Sequence, residues 1–305
     1  MDKDFYDLCR QKARLMRQSY SVTRREIEKV YKIEFTILEG FFDFTYELGN
    51  ALDKYIPQPE KPYLQFSLLR IHEKALKVAR ESKIMLENGS SSGAMARWRT
   101  LFEFSVVASI LVKYPDLSKK YIDHTKVDDY KYAKKLVEYR ERLNLYNYNM
   151  DVFPDIEASF KAVAEEYGWN GKNGYEWAKN DSVKAPNLFD LSKEVGLEHF
   201  YAYVDESHQY NHPSMRYLLN DRGSKSQEDD SVNYLFSPFG MYLPIQLIAC
   251  SLYHVNLAVI QGYSSLDAAD QEQLSFYLLQ NGEFPKTIIE LVEKADLHGR
   301  SYYAD

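Results

Sequence analysis

Apolar residues recur along most of this chain at steps of three and four, and no segment sustains the two-residue alternation of a half-buried strand. The first segment, from Asp4 to about Tyr20, mixes Leu, Tyr and Met with Arg10, Lys12, Arg14 and Arg17, the pattern of a short surface helix. Ser21-Val22-Thr23 followed by Glu26 forms a capping box, which predicts a new helix running to about Tyr55. Pro57 to Pro62 is a turn that no helix crosses. Tyr63 to Leu86 is the next helix, stopped by Glu87-Asn88-Gly89 and joined through Ser90-Ser91-Ser92-Gly93 to a helix that ends before Pro115. So short a connection predicts an antiparallel hairpin.

That second hairpin helix, Gly93 to Val112, reads as buried on every side, because from Thr100 onwards its one charge is Glu103. Beyond it, Lys119 to Leu143 is an outer amphipathic helix, Asn144 to Pro154 a loop and Asp155 to Tyr167 a further helix. Gly168 to Asn187, with three glycines and a proline, is the candidate long ordered loop. Short helices follow at Leu188 to Leu197 and Glu198 to Gln209. Pro213 then disfavours helical geometry at His212 and leaves it extended just past a helix end. Asp221 to Asp230 is polar, Pro244 to Gly262 is an uncharged helix, and Asp267 to Gln280 and Pro285 to Leu297 close the chain. The expected fold is an all-α multi-helix bundle of mostly antiparallel neighbours with one long ordered loop. Residues 1–62 form an N-terminal helical extension and 63–305 the bundle, within one continuous globular unit.

Composition narrows the class. Of 305 residues, 45% are hydrophobic and 27% charged, ordinary for a folded soluble chain. The 26 Tyr, 16 Phe and 3 Trp are spread over nearly every segment, which favours rings lining helix seams over a stacking surface for bases. A net charge of -7 supplies no general field for nucleic acid. Cys9 and Cys250, far apart and in no spaced motif, exclude a disulfide framework or a cysteine zinc cluster. Met1 to Gln18 lacks the apolar run of a signal peptide, so a cytoplasmic location is expected. Ser231 to Leu266 contains no Asp, Glu, Lys or Arg. Pro244, Gln246, Ser251, His254, Asn256 and Gln261 interrupt it, which reads as a core helix rather than stable membrane insertion.

Candidate chemistry begins with Arg99 and Glu103, one helical turn apart. The pair serves either as a structural ion pair or as an anion site in which Glu103 fixes the Arg99 guanidinium; Arg97 is a second potential donor. His212 is the candidate acid or base, with Tyr203, Ser207 and His208 near it in sequence as possible ligand contacts. Asp123, His124, Asp128 and Asp129 match no known ligand frame, so no metal and no cofactor is expected. Ser207 lacks a G-x-S-x-G context, and no glycine-rich phosphate loop occurs.

Two passages resemble the Domain of Unknown Function 5677 family, an uncharacterised bacterial family. Gly93-Ala94-Met95-Ala96-Arg97-Trp98-Arg99-Thr100-Leu101-Phe102-Glu103 is similar to its small-residue turn followed by an Arg-x-x-x-Glu helix. Tyr203-Val204-Asp205-Glu206-Ser207, continuing to His212-Pro213-Ser214, is similar to its Tyr-x-x-x-Ser helix ending in His-Pro-Ser, and Trp177-Ala178 and Asp190-Leu191-Ser192 resemble the intervening segment. The likeness covers roughly residues 60 to 260 and implies an all-helical fold without a chemistry. Helical RNases of prokaryotic toxin and phage-defence type carry an Arg and a His on one helix, four to six residues apart. Here no Arg stands so before His208 or His212, and Arg216 follows them. The favoured expectation is a cytoplasmic interaction or sensor protein, working with a protein partner or a second copy and binding a small anion or RNA at its polar centre. The alternatives are a metal-independent phosphodiesterase or RNase of bacterial defence, and a factor inserting Phe236 to Ile260 into a membrane.

Overall fold

The frame is the hairpin that the Ser90 turn sets up. In a computed structural model, residues 3–54, 62–144, 150–184, 186–212, 238–263 and 268–302 are described, and every regular element among them is helical. In chain order the helices are α1 (Lys3–Val30), α2 (Lys32–Asp53), α3 (Pro62–Glu87), α4 (Ser91–Lys113), α5 (Leu117–Asp123) and α6 (Thr125–Glu138). They continue as α7 (Phe153–Tyr167), α8 (Leu188–Glu194), α9 (Tyr201–Asn211), α10 (Tyr242–Gly262) and α11 (Ala268–Tyr302). Single 3-10 turns stand at Met150–Val152, Glu176–Ala178 and Glu198–Phe200. The expected turn at 57–61 and the polar stretch at 221–230 lie outside the described residues.

The core is a sandwich of α3, α4 and α10, flanked by α2 and α11. Trp98 at its centre is fully buried, and its indole N–H donates to the Leu247 carbonyl at 3.0 Å and to Ser251 Oγ at 2.9 Å. Burying so large a ring is favourable only because its one polar atom is paired. Helix α10 has the length and mean hydropathy, 1.6, to cross a membrane, yet 67% of that window is buried inside the bundle. Its interruptions explain the place it takes. Asn256 amide hydrogens reach Thr45 Oγ1 at 2.9 Å and Asn281 Oδ1 at 3.1 Å, and its carbonyl meets His72 Nε2 at 3.1 Å. The Asn281 amide in turn donates to the Tyr253 carbonyl at 3.1 Å. One buried polar network thus joins α2, α3, α10 and α11.

Several sequence expectations shift. Helix α1 runs unbroken through the Ser21 to Glu26 capping box, because Ser21 Oγ turns back to the Gln18 carbonyl at 2.8 Å instead of capping a new start. The break falls at Tyr31, whose buried ring sends its hydroxyl to the Pro238 carbonyl at 2.8 Å. Helix α2 then places Phe35, Leu38, Phe41, Phe42, Leu48 and Leu52 in the same core as α3, α4 and α10, and α1 adds Ile27 to it. The outer helix is interrupted at His124, where Thr125 Oγ1 takes the Ile122 carbonyl at 2.8 Å. Pro285 sits inside α11 rather than starting a separate helix. Phe284 stacks on Phe41 at 4.8 Å and Ile288 is buried, which holds both sides of the proline against the bundle. Helix α4 is also not buried all round: Arg99, Thr100, Glu103 and Phe104 form a partly exposed stripe.

Candidate functional site

The site grows out of the α3–α4 turn. Gly89 takes φ +85°, and the amides of Gly89 and Ser90 close onto the carbonyls of Leu86 and Met85, both at 2.9 Å. This ends α3 with a left-handed residue that favours glycine. A Cβ at Gly93 would meet Ser90 Oγ at 2.5 Å, so a side chain there would make the Ser90 hydroxyl rotate away. The small residues therefore bring α4 back tightly along α3 and leave a notch beside its first turns.

Helix α9 lies across that notch. Val204 and Ser207 are fully buried, Phe200 packs on Phe102 at 6.0 Å, and Ser207 Oγ donates to the Val204 carbonyl at 2.7 Å. His212 has φ −128° and ψ 135°, extended at the helix end as the following proline predicts; Pro213 and Ser214 themselves lie outside the described residues. Between the hairpin and α9 is an open cleft of about 600 Å³ lined by Met85, Gly93, Ala96, Arg97, Arg99, Thr100, His208, Asn211 and His212.

A chain of four polar side chains crosses α4 at the edge of this cleft. Arg99 Nε donates to His208 Nε2 at 2.7 Å. Arg99 Nη1 lies 3.5 Å from Glu103 Oε2, and the Tyr175 hydroxyl donates to Glu103 Oε1 at 2.6 Å. Since a guanidinium only donates, His208 Nε2 must be an acceptor, which makes the imidazole neutral with its proton on Nδ1. Burial, followed by the Arg99 charge, lowers the His208 pKa against the opposing pull of Asp205. Burial and then the Glu103 charge push the Tyr175 pKa up, which keeps its hydroxyl a donor. The Arg99 and Glu103 side chains are 30% and 34% exposed, so the pair stands at a wet surface and not in a dry core.

Among the sequence candidates, Arg99, Glu103 and His208 are thus joined by direct contacts, and Arg97 and His212 share the cleft with Arg99. Arg97 is at the rim, with Nε 2.6 Å from Glu81 Oε2 on α3. The two remaining candidates stand apart: Ser207 is turned inwards to its own helix, and Tyr203 is exposed and does not line the cleft. His208, not His212, is the imidazole bonded to the arginine. Tyr175, Asn211 and Met85 escaped sequence reasoning; Tyr175 comes from the loop at 168–187, where no periodicity marks direction. On the Glu103 side of α4 lies a second cleft, of about 510 Å³, with Thr100, Phe104, Tyr121, His124 and Tyr175 among its walls.

No group of three or more potential metal ligands comes together among the described residues. Asp123, once a conceivable ligand, is engaged by Lys119 Nζ at 2.7 Å, Lys126 Nζ at 2.9 Å and the Tyr167 hydroxyl at 2.8 Å. Burial raises its pKa, but those three hydrogen bonds prevail and lower it to about 2. The arrangement at Arg99 is a cation held in place from two sides, with Nη2 unengaged by any described residue. It is suited to gripping an anion. It is poorly suited to moving a proton through His208, whose Nε2 is occupied.

Fold and site together define an all-α bundle protein with an arginine-centred cleft at the turn of its central hairpin. The chain belongs to a family of unknown function, DUF5677, matched over residues 65–230. That span runs from α3 through α9 and contains every residue of the Tyr175–Glu103–Arg99–His208 chain. No curated protein and no solved structure matches the chain.

Proposed function

We propose that this is a cytoplasmic binding or sensor protein that takes a small anionic group, of phosphate or carboxylate type, in the cleft between the α3–α4 turn and α9. Supporting this reading above all is Arg99: its Nε and Nη1 are held by His208 and Glu103 while the side chain borders an open cleft. A preset guanidinium loses little freedom on binding and offers a planar donor edge to an oxyanion. Arg97 and His212 at the rim add donors for further oxygens. The placement of the site at the seam of two elements, α4 and α9, fits a sensor, because an anion bridging them would tighten their contact.

Calorimetric titration with inorganic phosphate and pyrophosphate tests this. Wild type binds at least one of them, and Arg99→Ala weakens binding at least about tenfold, the worth of one hydrogen bond to a charged group. Equal binding by wild type and Arg99→Ala would remove the proposal. In the phosphodiesterase alternative, one histidine must act as a base on RNA. RNA cleavage by the purified chain that vanishes in both His208→Ala and His212→Ala would replace the binding reading by that one.

A further inference from the structure

Helix α1 is the part of the molecule that the bundle leaves uncovered. Ile27 is its one buried residue, although it runs for 28 residues. Phe5, Leu8, Leu15 and Met16 are between 42% and 61% exposed. They project from one side, while Arg10, Arg14 and Arg17, at steps of four and three, project from the opposite side. None of these three arginines has a partner among the described residues. Across the helix, eight Lys and Arg stand against four Asp and Glu, in a chain whose net charge is -7. The excess positive charge is therefore concentrated on a helix that also exposes Phe5, Leu8, Leu15 and Met16 on one side, with Lys12 among them.

We infer that α1 docks this protein peripherally on an anionic lipid surface, lying in the interface with Phe5, Leu8, Leu15 and Met16 among the acyl chains and its arginines at the lipid phosphates. Charge decides between the occupants. The helix carries eight Lys and Arg against four Asp and Glu, and an anionic bilayer complements that charge while accepting the apolar side of the same helix. Among the described residues the helix long and apolar enough to span a membrane is α10, and 67% of its apolar window is buried inside the bundle. The inference is independent of the Arg99 cleft.

Co-sedimentation of the full chain with phosphatidylcholine vesicles, with and without a third of phosphatidylglycerol, tests it. The chain sediments with the anionic vesicles, stays in solution with the zwitterionic ones, and is released as salt rises. Arg14→Glu/Arg17→Glu and Leu15→Glu/Met16→Glu each weaken binding at least about tenfold. Their melting temperatures stay at the wild-type value, because these side chains lie outside the core. Failure to sediment with anionic vesicles, or unchanged sedimentation of both double variants, overturns the inference. So does a wild-type dimer in solution that Leu15→Glu/Met16→Glu converts to monomer, since the face would then belong to a second copy.

Discussion

Two histidines on neighbouring helices of this bundle stand in opposite circumstances. His72 on α3 is buried at the foot of a separate cleft, its Nε2 bonded to Asn256 within a network that ends on Thr45, Asn281 and a backbone carbonyl. His208 on α9 is bonded to a charged arginine whose side chain, 30% exposed, borders an open cleft. The first network is neutral and buried, with its hydrogen bonds made inside the protein, and joins four helices. The second is charged and open, and joins α4 to α9 and to a loop. A closed polar network in a core specifies how elements meet; an incompletely engaged one at a cleft is where a ligand can complete the bonding.

The sharpest way to break the first network is Asn256→Ala, which strands His72, Thr45 and Asn281 together; a loss of about 4 kcal/mol is expected in chemical denaturation. Acid acts on the same place. Burial, opposed by the hydrogen bond to Asn256, lowers the His72 pKa from 6.5 to about 4. The neutral form is the folded one, so this contribution is complete above pH 6.5 and is lost as the pH falls towards 4. Stability measured across that window should drop by about 3 kcal/mol, and His72→Gln should flatten the profile. At the cleft the effects on folding are smaller. Tyr175→Phe removes one donor to a partly exposed carboxylate and should cost about 1 kcal/mol. Glu103→Gln keeps the Tyr175 contact and weakens the hold on Arg99, so stability changes by less than about 0.5 kcal/mol while anion affinity falls.

How much of this was legible differs between the same two regions. The hairpin, its tight turn and the one-turn spacing of Arg99 and Glu103 follow from local rules: glycine at a helix end, small residues at a turn, side chains four apart on one face. The extended backbone of His212 follows from Pro213. The choice of His208 as the arginine's partner does not, because it depends on how α9 is rotated against α4, and that is set by burying Val204 and Ser207. Tyr175 reaches Glu103 from a loop, where nothing in the pattern gives direction. The same limit explains the misplaced helix boundary near Thr23. A capping box is locally favourable, but Ser21 satisfied itself within the continuing helix, and the break went to the buried Tyr31. Pro285 shows tertiary packing outweighing a local breaker, with Phe284 and Ile288 fixed on either side of it.

The claim that Arg99 is a binding group and not a structural strut is tested most directly by the melting temperature of Arg99→Ala, measured with and without pyrophosphate beside wild type. Without the anion the two proteins should melt within about 2 °C of each other, the size of a surface ion pair in a chain this long. Saturating pyrophosphate should raise the wild-type midpoint and leave the variant where it was. A variant that melts about 10 °C lower, with wild type indifferent to the anion, would contradict it.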